Sequence, residues 1–239
     1  MVGCLCIHGF TGAPYEVEPL ANHLQKVTNW DIRVPTLPGH GETLSLEGIR
    51  FEEWIDCAEK ELKSLIQDSN EVYVIGFSMG GLIAAYLSAK YPVKKLVLLS
   101  AAAYYVNPSQ MLADIKEMIR DGIKGNLKEN ELFNRYKKKM METPISATFQ
   151  FRKLVRFAKP YLKEIQTPTL IVQGEMDGIV PVKSAHFLYN VIGTPQKELC
   201  FLPMSKHHVC HGDDFEVLVQ RVERFLFEKV EGYEQKMEM

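Results

Sequence analysis

Six short apolar segments rich in β-branched residues recur along the chain with helical patterns between them, and this alternation limits the fold more than any other feature. The segments run roughly Val2 to His8, Trp30 to Val34, Val72 to Phe77, Leu96 to Ser100, Thr169 to Gln173 and Leu199 to Leu202. Several are apolar throughout, as strands buried on both faces must be. Apolar residues at helical spacing fill Tyr15 to Val27, Phe51 to Gln67, Met79 to Lys90, Pro181 to Val191 and Phe215 to Lys229. Each stretch is long enough to carry the chain from one parallel strand to the next. The pattern predicts an α/β fold in which a mostly parallel sheet of six strands is flanked by helices on both faces.

One region breaks the rhythm. Tyr104 to Pro160 has helical periodicity and no convincing strand, so it reads as a helical cap, 104–160, inserted into a core formed by 1–103 and 161–239. It holds twelve Lys and Arg against six Asp and Glu, whereas the whole chain has a net charge of −2. Clustered cations such as Lys137, Lys138 and Lys139 are first of all a solvated helix surface; attraction to anionic substrates or a lipid surface is the functional alternative. The tail from Glu231 to Met239 is expected to fray.

Composition narrows the function classes. With 239 residues and 46% apolar side chains the chain can bury one substantial core. No basic stretch precedes an apolar run at the start, and no apolar run approaches the ~18 residues of a membrane span, so a cytoplasmic protein without stable membrane insertion is expected. Five cysteines, an odd number without paired metal-ligand spacing, fit neither a disulfide framework nor a metal site. The near-neutral charge and the lack of any nucleic-acid-binding signature argue for a small-molecule substrate, with no cofactor, metal or nucleic acid, in a monomer or homodimer.

Chemistry enters at Gly76-Phe77-Ser78-Met79-Gly80, where an apolar strand meets an apolar helix through G-x-S-x-G. So abrupt a turn strains the residue at its apex, and its neighbours must be nearly free of side chain for the chains to pass. Ser78 is therefore expected above the sheet as a nucleophile, with the Met79 amide, at the helix N-terminus, aimed where an oxyanion would develop. The Gly-rich loop His8-Gly9-Phe10-Thr11-Gly12 lies beside this turn if strands one and three are neighbours. The Phe10 amide is then the second oxyanion donor, and Gly9 lets the loop approach the substrate without a Cβ. His8, at the strand end, reads as a structural histidine bonded to the loop.

The segments His8 to Gly12, Pro38-Gly39-His40-Gly41 and Gly76 to Gly81 resemble the α/β-hydrolase pattern of bacterial carboxylesterases and monoacylglycerol lipases. The resemblance covers nearly all of the chain outside the cap and implies the strand order 2-1-3-4-5-6. Members carry one or two further strands ahead of the first one seen here. In similar sequences the acid sits just before a Val-Pro pair, a place that Asp177 occupies ahead of Val180-Pro181, with Glu175 as the fallback. The base must come from Ser205 to His211, after the last strand. In similar esterases it stands two residues after a serine, which favours His207 over His208. Zinc bound by His207, His208, Cys210 and His211 is a weaker reading, and His211 is assigned to a helix cap.

These readings converge on a serine hydrolase that cleaves carboxylic esters, either short- to medium-chain acyl esters or monoacylglycerols, through an acyl-enzyme on Ser78. The same fold also hosts cleavage of thioesters, prolyl peptides and C–C bonds, and non-catalytic receptors with a broken triad. Specificity is assigned to the cap, where Met111, Met118, Met140, Met141, Phe133 and Phe149 offer adaptable apolar surface.

Overall fold

The computed structural model describes residues 1–104 and 143–228. Six strands, β1 (Val2–Ile7), β2 (Asp31–Arg33), β3 (Glu71–Phe77), β4 (Lys95–Leu99), β5 (Thr169–Gly174) and β6 (Lys197–Leu202), form one sheet in the order β2-β1-β3-β4-β5-β6. Every pairing is parallel. The expected class and strand order are thus observed. The α-helices of the described residues are α1 (Glu18–Val27), α2 (Phe51–Asp68), α3 (Met79–Lys90), α4 (Ile145–Ala158), α5 (Lys183–Val191) and α6 (Phe215–Phe227).

Alternation along the strands divides the core in two. Cys4, Cys6, Ile75, Val97, Leu99 and Val172 face one side and pack on Leu20 and Leu24 of α1 and on Leu218 and Val222 of α6. Leu5, Ile7, Val74, Leu96, Leu98 and Ile171 face the other and meet α2, α3, α4 and α5. The helix α3 is buried nearly all round because it lies over the centre of the sheet, which explains why its sequence is apolar on every face.

Element ends shift where polar chemistry intervenes. The helix expected from Tyr15 begins instead as a 3₁₀ turn, Pro14–Glu16, and becomes α1 only at Glu18. The helix expected from Pro181 starts at Lys183, because the Asp177 carboxylate takes the amides of Ile179 and Val180 just upstream. The edge strand β6 begins two residues before the apolar run, since Lys197 and Glu198 there stay partly solvated. Of the expected insertion, α4 packs Phe151, Leu154, Val155 and Ala158 into the core on the side of α2 and α3. The methionines 111–141, the lysines 137–139 and the tail 231–239 lie outside the described residues. Among the described residues no helix is long and apolar enough to cross a membrane.

The C-terminal helix is held by a buried charge. Lys95, at the start of β4, is 3% exposed and donates from Nζ to the carbonyls of Phe225 at 2.6 Å and Leu226 at 3.1 Å, and also to that of Glu228. These are the carbonyls that a helix end leaves unpaired, and a cation suits that end of the helix dipole. Burial pushes the ammonium below its ordinary range, yet the carbonyl cage accepts all its protons. Replacing Lys95 with Met, which keeps the stem and removes the donors, should lower the unfolding free energy in urea by about 1–3 kcal/mol. Stability equal to wild type would show that water replaces the ammonium at no cost.

Candidate active site

At the end of β3 the chain reverses into α3 through Ser78, whose φ of 53° and ψ of −114° are strained for a residue with a side chain. The strain persists because the surroundings fix the turn. The Ser78 amide donates to Leu99 O at 2.9 Å, and its carbonyl accepts from Gly81 and Ala102. A Cβ on Gly76 would lie 2.4 Å from Gly80 O, and one on Gly80 would lie 2.3 Å from Ile7 O, so β3, α3 and β1 cross at backbone contact. This is why both glycines flank the serine.

Three loops meet this turn. Asp177, after β5, and His207, after β6, are 9% and 4% exposed, and Ser78 is 8% exposed. His207 Nδ1 lies 2.8 Å from Asp177 Oδ2, and Nε2 lies 3.1 Å from Ser78 Oγ. A carboxylate only accepts, so Nδ1 carries the proton and donates to Asp177, leaving Nε2 to accept from the Ser78 hydroxyl. The three residues therefore form one directed chain of hydrogen bonds. Glu175, the alternative acid, is exposed.

The carboxylate of Asp177 is held from several sides. Burial alone would raise its pKa, but the facing His207, the hydrogen bond from its ring and the amides of Val180 and Ile179 outweigh burial and hold it below the usual carboxylate range. Gln173 adds a donor at 2.9 Å from Oδ2. Sequence reading passed over Gln173 as part of an apolar strand. The usable signal was an amide at the C-terminal end of a fully buried strand, where a polar group must find partners.

The three histidines after β6 go separate ways. His208 Nε2 lies 3.2 Å from Glu16 Oε1, and His211 Nε2 donates to Tyr15 O at 2.7 Å. His211 therefore does not cap a helix, as its position before α6 had led us to expect; it sits in the 3₁₀ turn Val209–His211 and ties that turn to the loop after β1. Among the described residues no group of three His, Cys, Asp or Glu is placed to hold a metal ion. His8 is fully buried, its Nε2 accepting from the Leu37 amide at 3.0 Å and its Nδ1 donating to Gly9 O at 2.9 Å.

The loop after β1 packs beside Ser78. Phe10 is buried, with its ring stacked on Phe151 of α4 at 5.2 Å and edge-on to Trp54 of α2 at 5.8 Å. Among the described residues neither the Phe10 amide nor that of Met79 is given to another acceptor. Gly9 was expected to spare a substrate its Cβ, but what crowds it is protein: a Cβ there would lie 3.1 Å from Glu16 Oε2 and 3.2 Å from the Phe77 ring. Glu16 was also missed by sequence reading, although its spacing from Leu20 and Leu24 extends the inward stripe of α1 back into the preceding 3₁₀ turn.

Residues 3–214 match the family described as serine aminopeptidase, S33. A thermostable monoacylglycerol lipase from a Bacillus species is 29% identical over 224 residues, 92% of this chain and 88% of that one. A carboxylesterase from Bacillus subtilis is 26% identical over 226 residues, 93% and 91% of the two chains. Among solved structures, that of the metagenome-derived lipolytic enzymes LipS and LipT aligns with a TM-score of 0.77 at 23% identity, over 94% of this chain and 93% of that one, a likeness of fold. A monoacylglycerol lipase from Paleococcus ferrophilus aligns with a TM-score of 0.69 at 18% identity, over 94% and 93%. Because the family match runs from the first strand to the threshold of α6 and takes in every loop just described, the chain belongs to the serine aminopeptidase, S33 family of α/β-hydrolases.

Proposed function

We propose that the protein hydrolyses carboxylic esters, with acyl esters of short to medium chain or monoacylglycerols as substrates, through an acyl-enzyme on Ser78. The observation that carries this is the unbroken hydrogen-bonded chain from Asp177 through His207 to Ser78. The relatives named monoacylglycerol lipase and carboxylesterase, which match over most of the chain, support the choice of an ester bond. A non-catalytic receptor has no use for so complete a set.

In the first half-reaction His207 Nε2 takes the hydroxyl proton as Ser78 Oγ attacks the ester carbonyl. The carbonyl electrons move to oxygen, and the amides of Phe10 and Met79 receive that oxyanion. Asp177 keeps the imidazole in the tautomer that accepts from Ser78 and stabilises the imidazolium once it forms. The alcohol leaves with the proton from Nε2. Water then attacks the acyl-enzyme, giving its proton to the same nitrogen, and the acid departs as Oγ is reprotonated. Specificity is assigned to the insertion 104–160, and the stacking of Phe151 on Phe10, which sets α4 of that insertion against the oxyanion loop, supports this.

Treatment with a fluorophosphonate should give one adduct by intact mass, lost in Ser78→Ala. A second adduct, or one retained in the variant, would refute Ser78 as nucleophile. Replacement of Asp177 by Asn should lower kcat by about 10⁴-fold against a soluble p-nitrophenyl ester, by allowing the wrong imidazole tautomer. The depressed pKa of Asp177 also fixes a stability trend. Its stabilising contribution is complete above the ordinary carboxylate pKa of ~3.9 and is lost as the pH falls through the lower folded-state value. The stability of wild type relative to Asp177→Asn should therefore decline on acidification below about pH 4, as read by urea unfolding; a constant difference would count against a charged native carboxylate.

A further inference from the structure

The mechanism leaves one buried carboxylate unused. Glu16 is 1% exposed and lies in the 3₁₀ turn Pro14–Glu16, which directly follows the loop that carries Phe10. Its Oε2 accepts the Gly9 amide at 2.8 Å, so the carboxylate grips the residue just before the proposed oxyanion donor. Its Oε1 faces His208 Nε2 at 3.2 Å, next to the proposed base. The adjoining Tyr15 carbonyl accepts from His211 Nε2 at 2.7 Å, so two successive residues of one turn hold two histidines of the loop after β6.

The surroundings are built for this group. A Cβ on Gly12 would lie 1.9 Å from Oε2, so the carboxylate fills the space that this glycine vacates. Burial would raise the pKa of Glu16, but the hydrogen bond and charge of His208 and the Gly9 amide offset burial and hold it below its ordinary value. A buried charge with partners on two loops resists displacement of either, because separating the groups leaves an unpaired charge in the interior.

We infer that Glu16 is a positioning residue: it locks the Gly9–Phe10 backbone against the loop bearing His207 and His208, and so fixes the oxyanion donor relative to the base. This role rests on the ester-hydrolase reading and goes beyond it, since Glu16 touches neither substrate nor reacting atoms. The pair also gives the two neighbouring histidines distinct duties. His207 serves Ser78, and His208 anchors the loop on which His207 stands.

The test compares Glu16→Ala and Glu16→Gln with wild type. The readouts are kcat and KM on a soluble p-nitrophenyl ester, affinity for an arylboronic acid that forms a tetrahedral adduct with the serine, and the rate of fluorophosphonate labelling. Glu16→Ala should lower kcat by about 10²-fold, comparable to loss of one oxyanion contact, with KM within about threefold, and weaken the boronic acid by a similar factor to kcat. Glu16→Gln keeps an acceptor for the Gly9 amide and should recover most of the loss. If Glu16→Ala folds poorly, Glu16→Gln combined with His208→Ala carries the test: with the Glu16–His208 pair gone and only the Tyr15–His211 contact still joining the two loops, kcat should fall clearly below that of Glu16→Gln alone. Variants of lowered thermal stability but unchanged kcat and boronic acid affinity would overturn the inference and leave the ester-hydrolase reading intact. A wild type that labels on Ser78 but cleaves no ester would refute that reading instead, and the labelling rates of the variants would still decide the role of Glu16. A wild type that does not label would end both.

Discussion

The crossing of β3 and α3 over the end of β1 is the constraint on which the rest depends. Three backbones approach so closely at Gly76, Gly80 and Ile7 that no side chain fits between them. That contact forces the chain to turn within one residue and leaves Ser78 in a conformation that would relax if the packing loosened. It also brings the first amide of α3 beside the loop after β1. The serine and both proposed oxyanion donors thus depend on a single point of packing at the centre of the sheet, where strands on either side give the least freedom to move.

Around that point the molecule spends charge sparingly. Asp177 and Glu16 are both buried carboxylates, the first kept ionised by two backbone amides and an imidazole, the second by one backbone amide and an imidazole. A buried ion without such partners would neutralise or unfold its surroundings. The two arrangements are parallel in design and differ chiefly in one respect: the imidazole partnered with Asp177 has its second nitrogen turned to Ser78, whereas the other is committed to holding loops together.

Much of this was legible in the residues. The four central strands, β1, β3, β4 and β5, announce themselves by apolar runs, because burial on both faces leaves few polar positions, Lys95 and Gln173 near strand ends among them. The edge strands β2 and β6 were placed less well, since Asp31, Arg33, Lys197 and Glu198 keep contact with solvent and interrupt the pattern. Ser78 stood out because its glycines, strand and helix are contiguous in sequence. Glu16, Gln173 and the division of labour between His207 and His208 did not, because their meaning lies in partners that the fold brings from elsewhere: Glu16 meets His208 across 192 positions of chain. Local pattern reveals where a turn must be tight; it carries no record of which distant imidazole a buried acid will find.

The strand order has a consequence for how the molecule comes into being. Ser78 and the loop after β1 belong to neighbouring strands from the first third of the chain, but the imidazole follows β6, the strand at the far edge of the sheet. β6 reaches the sheet through β5, and β5 pairs with β4 across residues 100–168, a non-local contact of the kind that forms slowly when a chain condenses. A nascent or partly unfolded molecule therefore carries the hydroxyl without its proton acceptor. In the proposed hydrolysis Ser78 gains its base only once the loop after β6 has docked, which ties that chemistry to completion of the sheet.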